Sequence, residues 1–338
     1  MAKGSTVCVT GGAGYIGSWL VRKLLQRGHV VHATLRNLDD KSKVQLLKSL
    51  DGADERLHLF KAEIYHPEEF EAAIHGCEFV FHVATPLFPN PGDTQYKDTT
   101  EASLAAARSI MSACERSGSV RRVIYTGSAM SASPFSKGNG VAGREEYTMD
   151  ESSWTPLHLP FAYMEEFERN YVWSKTLTEK ELLSYRGDRG VEVVSLACGL
   201  VGGDSILGYV PGSMSVVISP LTGQKLSHKQ LKLLQEMLGS VPFVHVDDVC
   251  EALLFVMEKP SIFGRFLCAS CHPLMQQIVE ILEREYPGAL ILKDVEDSRS
   301  CKVNYSSKLL ELGFKYKYNV DQIVAGSVEF AKRVGNIN

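Results

Sequence analysis

Residues 7–17 read VCVTGGAGYIG, a short apolar run that passes directly into a glycine-rich turn. The run is typical of a buried strand, and an amphipathic helix is predicted over Ser18–Arg27. A glycine turn in this context favours binding of a dinucleotide: Gly11 permits a tight turn, Gly14 lets the backbone approach a pyrophosphate and Gly17 lets helix and strand pack closely. The phosphates would meet backbone N–H groups and the positive end of the helix dipole. A plain glycine-rich turn is the alternative.

Apolar runs alternate with helical periodicity throughout the first half of the chain. Strands are predicted at Thr6–Thr10, Val30–Leu35, Leu57–Lys61, Phe79–Val83, Arg122–Thr126 and Val191–Leu196. This strand–helix–strand rhythm predicts an α/β fold with a doubly wound parallel sheet and helices on both faces. In such a sheet the ligand binds beyond the carboxyl ends of the strands, where the strand order reverses.

The pattern changes beyond residue 197. Glycine and proline interrupt it, and a stretch rich in Ser, Pro and Lys continues to about residue 240. Phe243–Asp248 then leads a further helical run, and helices are predicted at Pro273–Glu285 and Val320–Arg333. We therefore predict two domains: a dinucleotide-binding domain of residues 1–199 plus 241–260, and a smaller, mixed α/β, substrate-binding lobe of residues 200–240 plus 261–338.

Composition excludes several classes of protein. The 338 residues are 44% hydrophobic and 22% charged, which is ordinary for a globular chain and not for a disordered one. A net charge of -4 argues against a nucleic-acid partner, which would need a basic face. No apolar run reaches the roughly 18 residues of a membrane span. The eight cysteines are scattered and the pair Cys268 and Cys271 has no second pair, so we expect reduced thiols, a cytoplasmic location and no metal site.

The second predicted strand, Val30–Leu35, is followed at once by Arg36. Sheets that bind NAD usually place a carboxylate here, where it accepts hydrogen bonds from the ribose hydroxyls. A guanidinium would instead pair with the 2′-phosphate of NADP, and Lys43 could add a second positive charge. Asp39 and Asp40 leave NAD as an alternative, and a solvated surface arginine is another. The residues favour NADP(H) as the cofactor.

Tyr171 and Lys175 are four residues apart, so on a helix they share one face. A free phenol has a pKa of about 10, and an adjacent ammonium lowers that pKa, which makes Tyr171 a usable acid for a carbonyl oxygen. Lys175 could also bind the nicotinamide ribose. Alone, the pair fits an ordinary helix surface. With Ser128, which closely follows the predicted strand Arg122–Thr126 and could hold a substrate carbonyl, it predicts a site for hydride transfer.

Five sequence segments occur in the same order as the motifs of a known protein family. They are TGGAGYIGS at Thr10–Ser18, FHVATP at Phe81–Pro86, IYTGSA at Ile124–Ala129, YVWSKTLTEK at Tyr171–Lys180 and FVHVDDV at Phe243–Val249. Together they resemble the extended short-chain dehydrogenases/reductases, and most closely the plant dihydroflavonol reductase group, which includes anthocyanidin and vestitone reductases. The resemblance covers nearly the whole chain. It implies a Rossmann-like fold and an NADPH-dependent carbonyl reductase for a flavonoid or related phenolic substrate of the anthocyanidin, dihydroflavonol or isoflavanone type.

The resemblance also implies roles for individual residues. Ser128, Tyr171 and Lys175 match the catalytic trio of the family. Contacts with NADP(H) are implied for Gly11, Gly14, Tyr15, Ile16, Gly17, Arg36, Lys43, Glu63, Ile64, Val83, Ala84, Thr85, Tyr171, Lys175 and Cys198. Glu63 stands where the family generally has an aspartate beside the adenine, and Cys198 stands where proline is frequent.

Substrate contacts are predicted for Ser128, Ser133 and Tyr163. Ser133 stands five residues after the catalytic serine, where dihydroflavonol reductases carry an asparagine that contacts the ring hydroxyls. The shorter serine leaves an anthocyanidin or another aromatic ketone open. The stretch Ser131–Phe161 is rich in Gly, Ser and Pro, which suits either the lining of a site for a flat aromatic molecule or an ordinary surface excursion.

Other functions fit part of the pattern. A cinnamoyl-CoA reductase or another aromatic aldehyde or ketone reductase is one alternative, although the former typically has NWYCYGK around its tyrosine and Arg169–Lys175 here reads RNYVWSK. A sugar-nucleotide epimerase and a non-catalytic NADP-sensing protein are others. The expected partner is a small phenolic molecule, and the oligomeric state, monomer or weak dimer, stays open.

Overall fold

The computed structural model describes residues 4–89, 95–135, 146–185, 190–295, 302–306 and 308–337. The chain divides into two compact units. Unit 1 comprises Met1–Gly127, Trp173–Leu196 and Leu253–Arg265, and unit 2 comprises Ser128–Val172, Ala197–Ala252 and Phe266–Asn338.

This division differs from the predicted one mainly at Ser128–Val172, which we had placed with the dinucleotide-binding domain and which belongs to unit 2. The reason is packing. Ala129, Met149, Phe161 and Val172 of this segment are buried in the hydrophobic core of unit 2.

The first half of the chain alternates strands and helices. Its elements are β1 (Thr6–Thr10), α1 (Tyr15–Gln26), β2 (Val30–Leu35), α2 (Lys41–Lys48), α3 (Ala53–Arg56), β3 (Leu57–Lys61), α4 (Phe70–Ile74), β4 (Phe79–His82), α5 (Thr99–Ser117) and β5 (Arg122–Ser128). Short 3₁₀ helices cover Pro67–Glu69 and Ala129–Ser131.

The remaining elements follow a less regular alternation. They are β6 (Glu146–Met149), α6 (Glu166–Ser184), β7 (Glu192–Cys198), β8 (Leu200–Gly202), α7 (Gly212–Val217), α8 (Ser219–Thr222), α9 (Lys225–Leu238), β9 (Phe243–His245), α10 (Val246–Glu258), β10 (Gly264–Cys268), α11 (Met275–Glu285), β11 (Lys302–Tyr305), α12 (Lys308–Glu311) and α13 (Val320–Arg333).

The central sheet has the strand order β10-β7-β5-β4-β1-β2-β3 in the described part of the chain. β1 pairs in parallel with β2 on one side and with β4 on the other, with Val7 opposite Val31 and Phe79. The strand order therefore reverses between β1 and β4, and their carboxyl ends, Thr10 and His82, lie opposite each other. This confirms the predicted doubly wound sheet and locates its switch point at the glycine turn.

Buried parallel strands appear in sequence as near-continuous apolar runs. β1 and β2 accordingly have the predicted bounds, and so has β3, although its side chains are only partly buried or exposed. Phe79 begins β4 as predicted, but the strand ends one residue early because the Val83 amide donates to the Thr10 side chain at 3.0 Å.

Unit 2 holds its own core. Buried apolar side chains from α9, α11 and α13 meet there, among them Leu231, Ile278 and Ile323. α9, of 14 residues, lies within the stretch in which we had predicted no helix. In this unit β6 pairs in parallel with β11, and β8 with β9.

Candidate active site

Hydrogen bonds to β2 and close packing against α1 fix the glycine turn of unit 1. Gly11 has φ +68°, a left-handed conformation that favours glycine, and its N–H donates to Thr34 Oγ1 at 3.1 Å. The Gly12 N–H donates to the Thr34 carbonyl at 2.9 Å. A Cβ on Gly17 would lie 2.2 Å from the Gly11 carbonyl oxygen, so this position requires glycine because the helix approaches the turn so closely.

The turn leads into α1 at Tyr15, with Gly14 as the N-cap. Gly14 has no side chain to cap the helix, in contrast to Asp98, whose carboxylate caps α5. A helix start without a capping side chain, preceded by a tight turn at the switch point, is the arrangement that receives a phosphate. The residues therefore fit a dinucleotide, with Ile16 and Gly17 in the first helical turn.

Thr10 holds the start of the segment Val83–Thr85 beside this turn. Its hydroxyl oxygen accepts from the N–H groups of Val83 and Ala84, both at 3.0 Å, and lies 3.1 Å from His82 Nδ1. Since both acceptor positions are used, the hydroxyl donates to His82, whose ring is neutral because burial lowers its pKa to about 3. His82 is thus a structural residue, and Val83–Thr85 runs beside Gly11 with Ala84 Cα only 3.1 Å from a Cβ built there.

Thr10 was predicted only as the start of the glycine motif, and Thr34 was not predicted to take part in this site. Both side chains are fully buried, in strands whose other buried residues are apolar. A buried hydroxyl needs a hydrogen-bond partner, so a threonine at the carboxyl end of such a strand is the signal that could have found them.

At the end of β2, Arg36 is exposed. Asp40, which had complicated the choice of cofactor, caps α2: its carboxylate accepts from Ser42 Oγ at 2.7 Å and lies 2.9 Å from Lys43 Nζ. The Lys43 hydrogen bond, with that of Ser42, lowers the pKa of Asp40 to about 2. A 2′-phosphate would therefore find Arg36 accessible but would compete with Asp40 for Lys43.

Beyond β3 the chain turns between Glu63 and His66, where the His66 N–H donates to the Glu63 carbonyl at 3.0 Å. Glu63 is half-buried, whereas the side chain of Ile64 is buried in the core of unit 1. The predicted contact of Ile64 with a cofactor would therefore use its backbone.

Lys175 of α6 is buried, and its ammonium group is held by unit 1 on two sides. Nζ donates to Thr85 Oγ1 and to the Thr126 carbonyl, each at 2.8 Å, and lies 5.0 Å from the centre of the Tyr125 ring. The backbone of β5 thus positions the lysine, a contact that sequence reasoning had not identified. A main-chain acceptor leaves no signal in the sequence.

In unit 2, Ser128 and Tyr171 interact with each other. Ser128 ends β5, and its hydroxyl accepts the Met130 N–H at 3.2 Å and hydrogen-bonds the Tyr171 hydroxyl. Burial raises the pKa of Tyr171, and the Ser128 hydrogen bond opposes that rise. The phenol that we had expected to be acidified by Lys175 is therefore protonated at neutral pH, since the loss of hydration outweighs the stabilisation of its charged form.

Cys198, at the end of β7, belongs to unit 2 as well. It hydrogen-bonds Cys268, whose pKa is raised by that bond and by burial. Cys198 is itself buried, so its thiol is a packing group beside the tyrosine. Among the described residues no cysteine forms a disulfide, and no group of His, Cys, Asp or Glu could hold a metal ion.

Ser133 has its hydroxyl occupied by the protein. Oγ donates to the Met237 carbonyl at 2.7 Å and accepts the Phe135 N–H at 3.3 Å, and the residue is 1% exposed. The Ser133 N–H donates to Thr155 Oγ1 at 2.9 Å. A direct bond from this hydroxyl to a substrate, as predicted, would require the Met237 bond to break.

Tyr163 is half-buried, with its ring 5.3 Å from Lys232 Nζ. The predicted substrate lining Ser131–Phe161 is described only in part, because residues 136–145 lie outside the described residues. The part that follows β6 is anchored: the Thr155 N–H donates to the Ser131 carbonyl and Thr155 Oγ1 to the Met130 carbonyl, at 2.9 and 2.6 Å.

Comparison with known proteins agrees with this geometry. Residues 7–265 match the NAD dependent epimerase/dehydratase family. A putative anthocyanidin reductase of Ginkgo biloba is 37% identical over 333 residues, which cover 98% of this chain and 95% of that protein. A dihydroflavonol 4-reductase of Callistephus chinensis is 34% identical over 340 residues, covering 98% of this chain and 87% of that protein.

The crystal structure of vestitone reductase from alfalfa (Medicago sativa) has a similar fold. The two chains align with a TM-score of 0.77 and 31% sequence identity, over 98% of this chain and 100% of that one. In the described residues no helix is both long and apolar enough to cross a membrane.

Proposed function

Because the chain belongs to the NAD dependent epimerase/dehydratase family, we propose that it is an NADPH-dependent oxidoreductase that reduces the carbonyl group of a flavonoid or related plant phenolic. The single observation that carries the proposal is the hydrogen bond between Ser128 and Tyr171. It joins a proton donor to a residue that can hold the acceptor oxygen, at the carboxyl end of a central strand.

NADPH would be held by unit 1. Its pyrophosphate would meet the glycine turn and the start of α1, and its 2′-phosphate would pair with Arg36. Lys175, fixed by Thr85 and the Thr126 carbonyl, would bind the nicotinamide ribose. When bound, the cofactor supplies a hydride to the carbonyl carbon of the substrate.

The residues of the chain supply the proton. Ser128 holds the carbonyl oxygen, and the Tyr171 hydroxyl gives its proton to that oxygen as the carbon is reduced to an alcohol. The raised pKa of Tyr171 keeps this proton in place at neutral pH. The Ser128 hydrogen bond then stabilises the phenolate that remains, until a proton from solvent restores it.

The substrate class is supported by the relatives. The two curated relatives described above are named for reduction of an anthocyanidin and a dihydroflavonol, and the crystal structure for reduction of vestitone. Ser133, bound to Met237, leaves no asparagine-like group for the hydroxyls of a dihydroflavonol ring. We therefore rank an anthocyanidin or an isoflavanone above a dihydroflavonol.

The test is NADPH oxidation by the purified protein with a panel of carbonyl compounds. The panel contains an anthocyanidin, a dihydroflavonol, the isoflavanone vestitone, a cinnamoyl thioester and a simple aromatic aldehyde. Turnover of a flavonoid supports the proposal and identifies which type of flavonoid is the substrate. Turnover of the thioester or the aldehyde alone would indicate instead a cinnamoyl-CoA reductase or another aromatic aldehyde reductase. NADPH binding without any turnover would favour the non-catalytic alternative.

A further inference from the structure

The last turn of α9 binds two segments of unit 2 that adjoin Ser128 and Tyr171 in the chain. One is the Tyr163 turn, residues 161–164, in which the Met164 N–H donates to the Phe161 carbonyl at 3.2 Å. The carboxylate of Glu236 accepts the N–H groups of Ala162 and Tyr163, at 2.8 and 3.2 Å, one on each oxygen. One acidic side chain therefore orients two consecutive peptide groups.

The other segment follows Ser128. Met237, the neighbour of Glu236, accepts the Ser133 hydroxyl at 2.7 Å through its carbonyl. Between Ser128 and Ser133 the chain is further fixed by Thr155, which bonds to the backbone of residues 130, 131 and 133. Glu236 and Met237 thus hold two segments against one helical turn.

The Tyr163 turn has the chemistry of a surface for an aromatic ligand. Phe161 is buried in the core, while Tyr163 and Met164 are half-buried and pack against it. The ring of Tyr163 also faces Lys232, whose ammonium forms an ion pair with Asp294 at 2.8 Å. An aromatic ring and a thioether give a flat, polarisable contact, which suits a planar aromatic molecule.

We propose that Glu236 is a specificity-determining positioning residue: by orienting the Tyr163 turn, it sets the affinity of the enzyme for planar, multi-ring phenolic substrates. The inference rests on the proposed function for the identity of the substrate. It does not assign Glu236 any contact with the reacting atoms.

The surroundings of Glu236 allow its effect on the Tyr163 turn to be distinguished from an effect on the stability of the whole fold. Ala162 is exposed, so water can replace the carboxylate at the two N–H groups when the side chain is removed. The fold then persists, and what is lost is the order of the turn. A small carbonyl compound that does not extend to Tyr163 would not sense the change.

The experiment compares Glu236→Ala, Glu236→Gln and the control Gln230→Ala. Gln230 lies on the same helix and donates to Glu168 at 3.1 Å, so its removal deletes a hydrogen bond without touching the Tyr163 turn. For a flavonoid substrate, Glu236→Ala should raise KM about tenfold with kcat changed by less than about twofold. KM for NADPH and for a simple aliphatic aldehyde should be unchanged. Glu236→Gln keeps one acceptor and should give an intermediate KM.

Hydrogen–deuterium exchange of the peptide that contains residues 161–164 is the second readout. Glu236→Ala should accelerate exchange at Ala162 and Tyr163 by about tenfold or more, and Gln230→Ala should not. Unchanged exchange would overturn the inference, as would a KM that rises equally for flavonoid and aldehyde, because the residue would then act on the whole fold.

Failure of the proposed function is a distinguishable result. If the wild type reduces no flavonoid, the kinetic arm uses the largest aromatic carbonyl compound that it does reduce. If it reduces none, the kinetic arm is replaced by the Kd of a flavonoid measured by fluorescence quenching. A selective loss of affinity with faster exchange supports the role of Glu236, and equal affinity in all variants refutes it.

Discussion

Tyr171 shows how far one residue can be understood from its neighbours in sequence. The spacing to Lys175 suggested an ammonium that acidifies the phenol, and the structure instead gives a phenol whose pKa is raised by burial. Lys175 donates to Thr85 and to the Thr126 carbonyl. The two residue types were identifiable from spacing alone, but burial depends on the whole of unit 2 and could not be deduced from a helix pattern.

The Ser128 hydrogen bond stabilises the ionised form of Tyr171 and therefore predicts a pH effect. Alcohol oxidation needs the phenolate, so its rate should increase with pH towards a pKa above the ordinary value. Ser128→Ala removes the stabilisation and raises the pKa further, so the rising limb of kcat/KM should move to higher pH. Carbonyl reduction should stay level between pH 6 and 9, a range well below the raised pKa.

The control for this profile is Ser133→Ala, whose hydroxyl donates to Met237 and not to Tyr171. The rising limb of kcat/KM for Ser133→Ala should lie at the same pH as that of the wild type. A Ser128→Ala limb at the same or a lower pH would contradict the assignment of the hydrogen bond.

Arg36→Ala tests the choice between the two dinucleotides. A lost pair between a guanidinium and a phosphate should weaken NADPH binding about 10- to 100-fold and leave NADH within about twofold. Titration of each cofactor by fluorescence gives the two Kd values. Arg27→Ala is the matched control, because Arg27 pairs with Glu258 at 2.8 Å and should affect neither cofactor. Equal losses for NADPH and NADH after Arg36→Ala would refute the contact.

At the scale of elements, α6 is fixed in unit 1 by a buried ion pair. Glu179, one turn after Lys175, accepts from Arg265 at 3.0 and 3.1 Å and from Ser195 Oγ at 2.5 Å. A Cβ on Gly127 would lie 3.0 Å from the Glu179 carboxylate, so the end of β5 passes directly over this pair. The pair thereby sets the register of the lysine against the strand.

Arg265→Met should lower the free energy of unfolding by about 3–5 kcal/mol, because it leaves the buried Glu179 charge without its cationic partner. Arg108→Ala is the control: Arg108 of α5 pairs at the surface with Glu181 of α6, and such a pair contributes less than about 1 kcal/mol. Urea denaturation followed by circular dichroism measures both. Equal effects of the two substitutions would contradict the structural role of the buried pair.

The elements differ in how well sequence predicted them. β1, β2, β3 and α13 have the predicted bounds because the strands are short segments rich in apolar residues and α13 has a clean helical period. α9 was missed. Its buried residues, such as Leu231 and Leu234, have helical spacing, but the segment follows glycine and proline, and its N-cap residue, Gln224, makes no capping hydrogen bond through its side chain. The missed helix is the one that carries Glu236.

At the scale of the whole molecule, the fold class and the residues at the switch point were predictable, whereas the extent of the two units was not. The division passes between Gly127 and Ser128 and again between Val172 and Trp173, inside segments that are continuous in sequence. It is set by long-range packing, such as that of Phe161 and Val172 in the core of unit 2, which a local pattern does not contain. The motifs could be recognised in the sequence because the residues of each motif lie close together in the chain.

The most direct test of the account is Tyr171→Phe, assayed for turnover and for cofactor affinity together. NADPH oxidation with the flavonoid that the wild type reduces should fall by about 10²- to 10⁴-fold, the contribution of a positioned general acid, while the Kd for NADPH stays within about twofold. Retained turnover, or intact turnover with lost NADPH affinity, would contradict the assignment of Tyr171 as the proton donor.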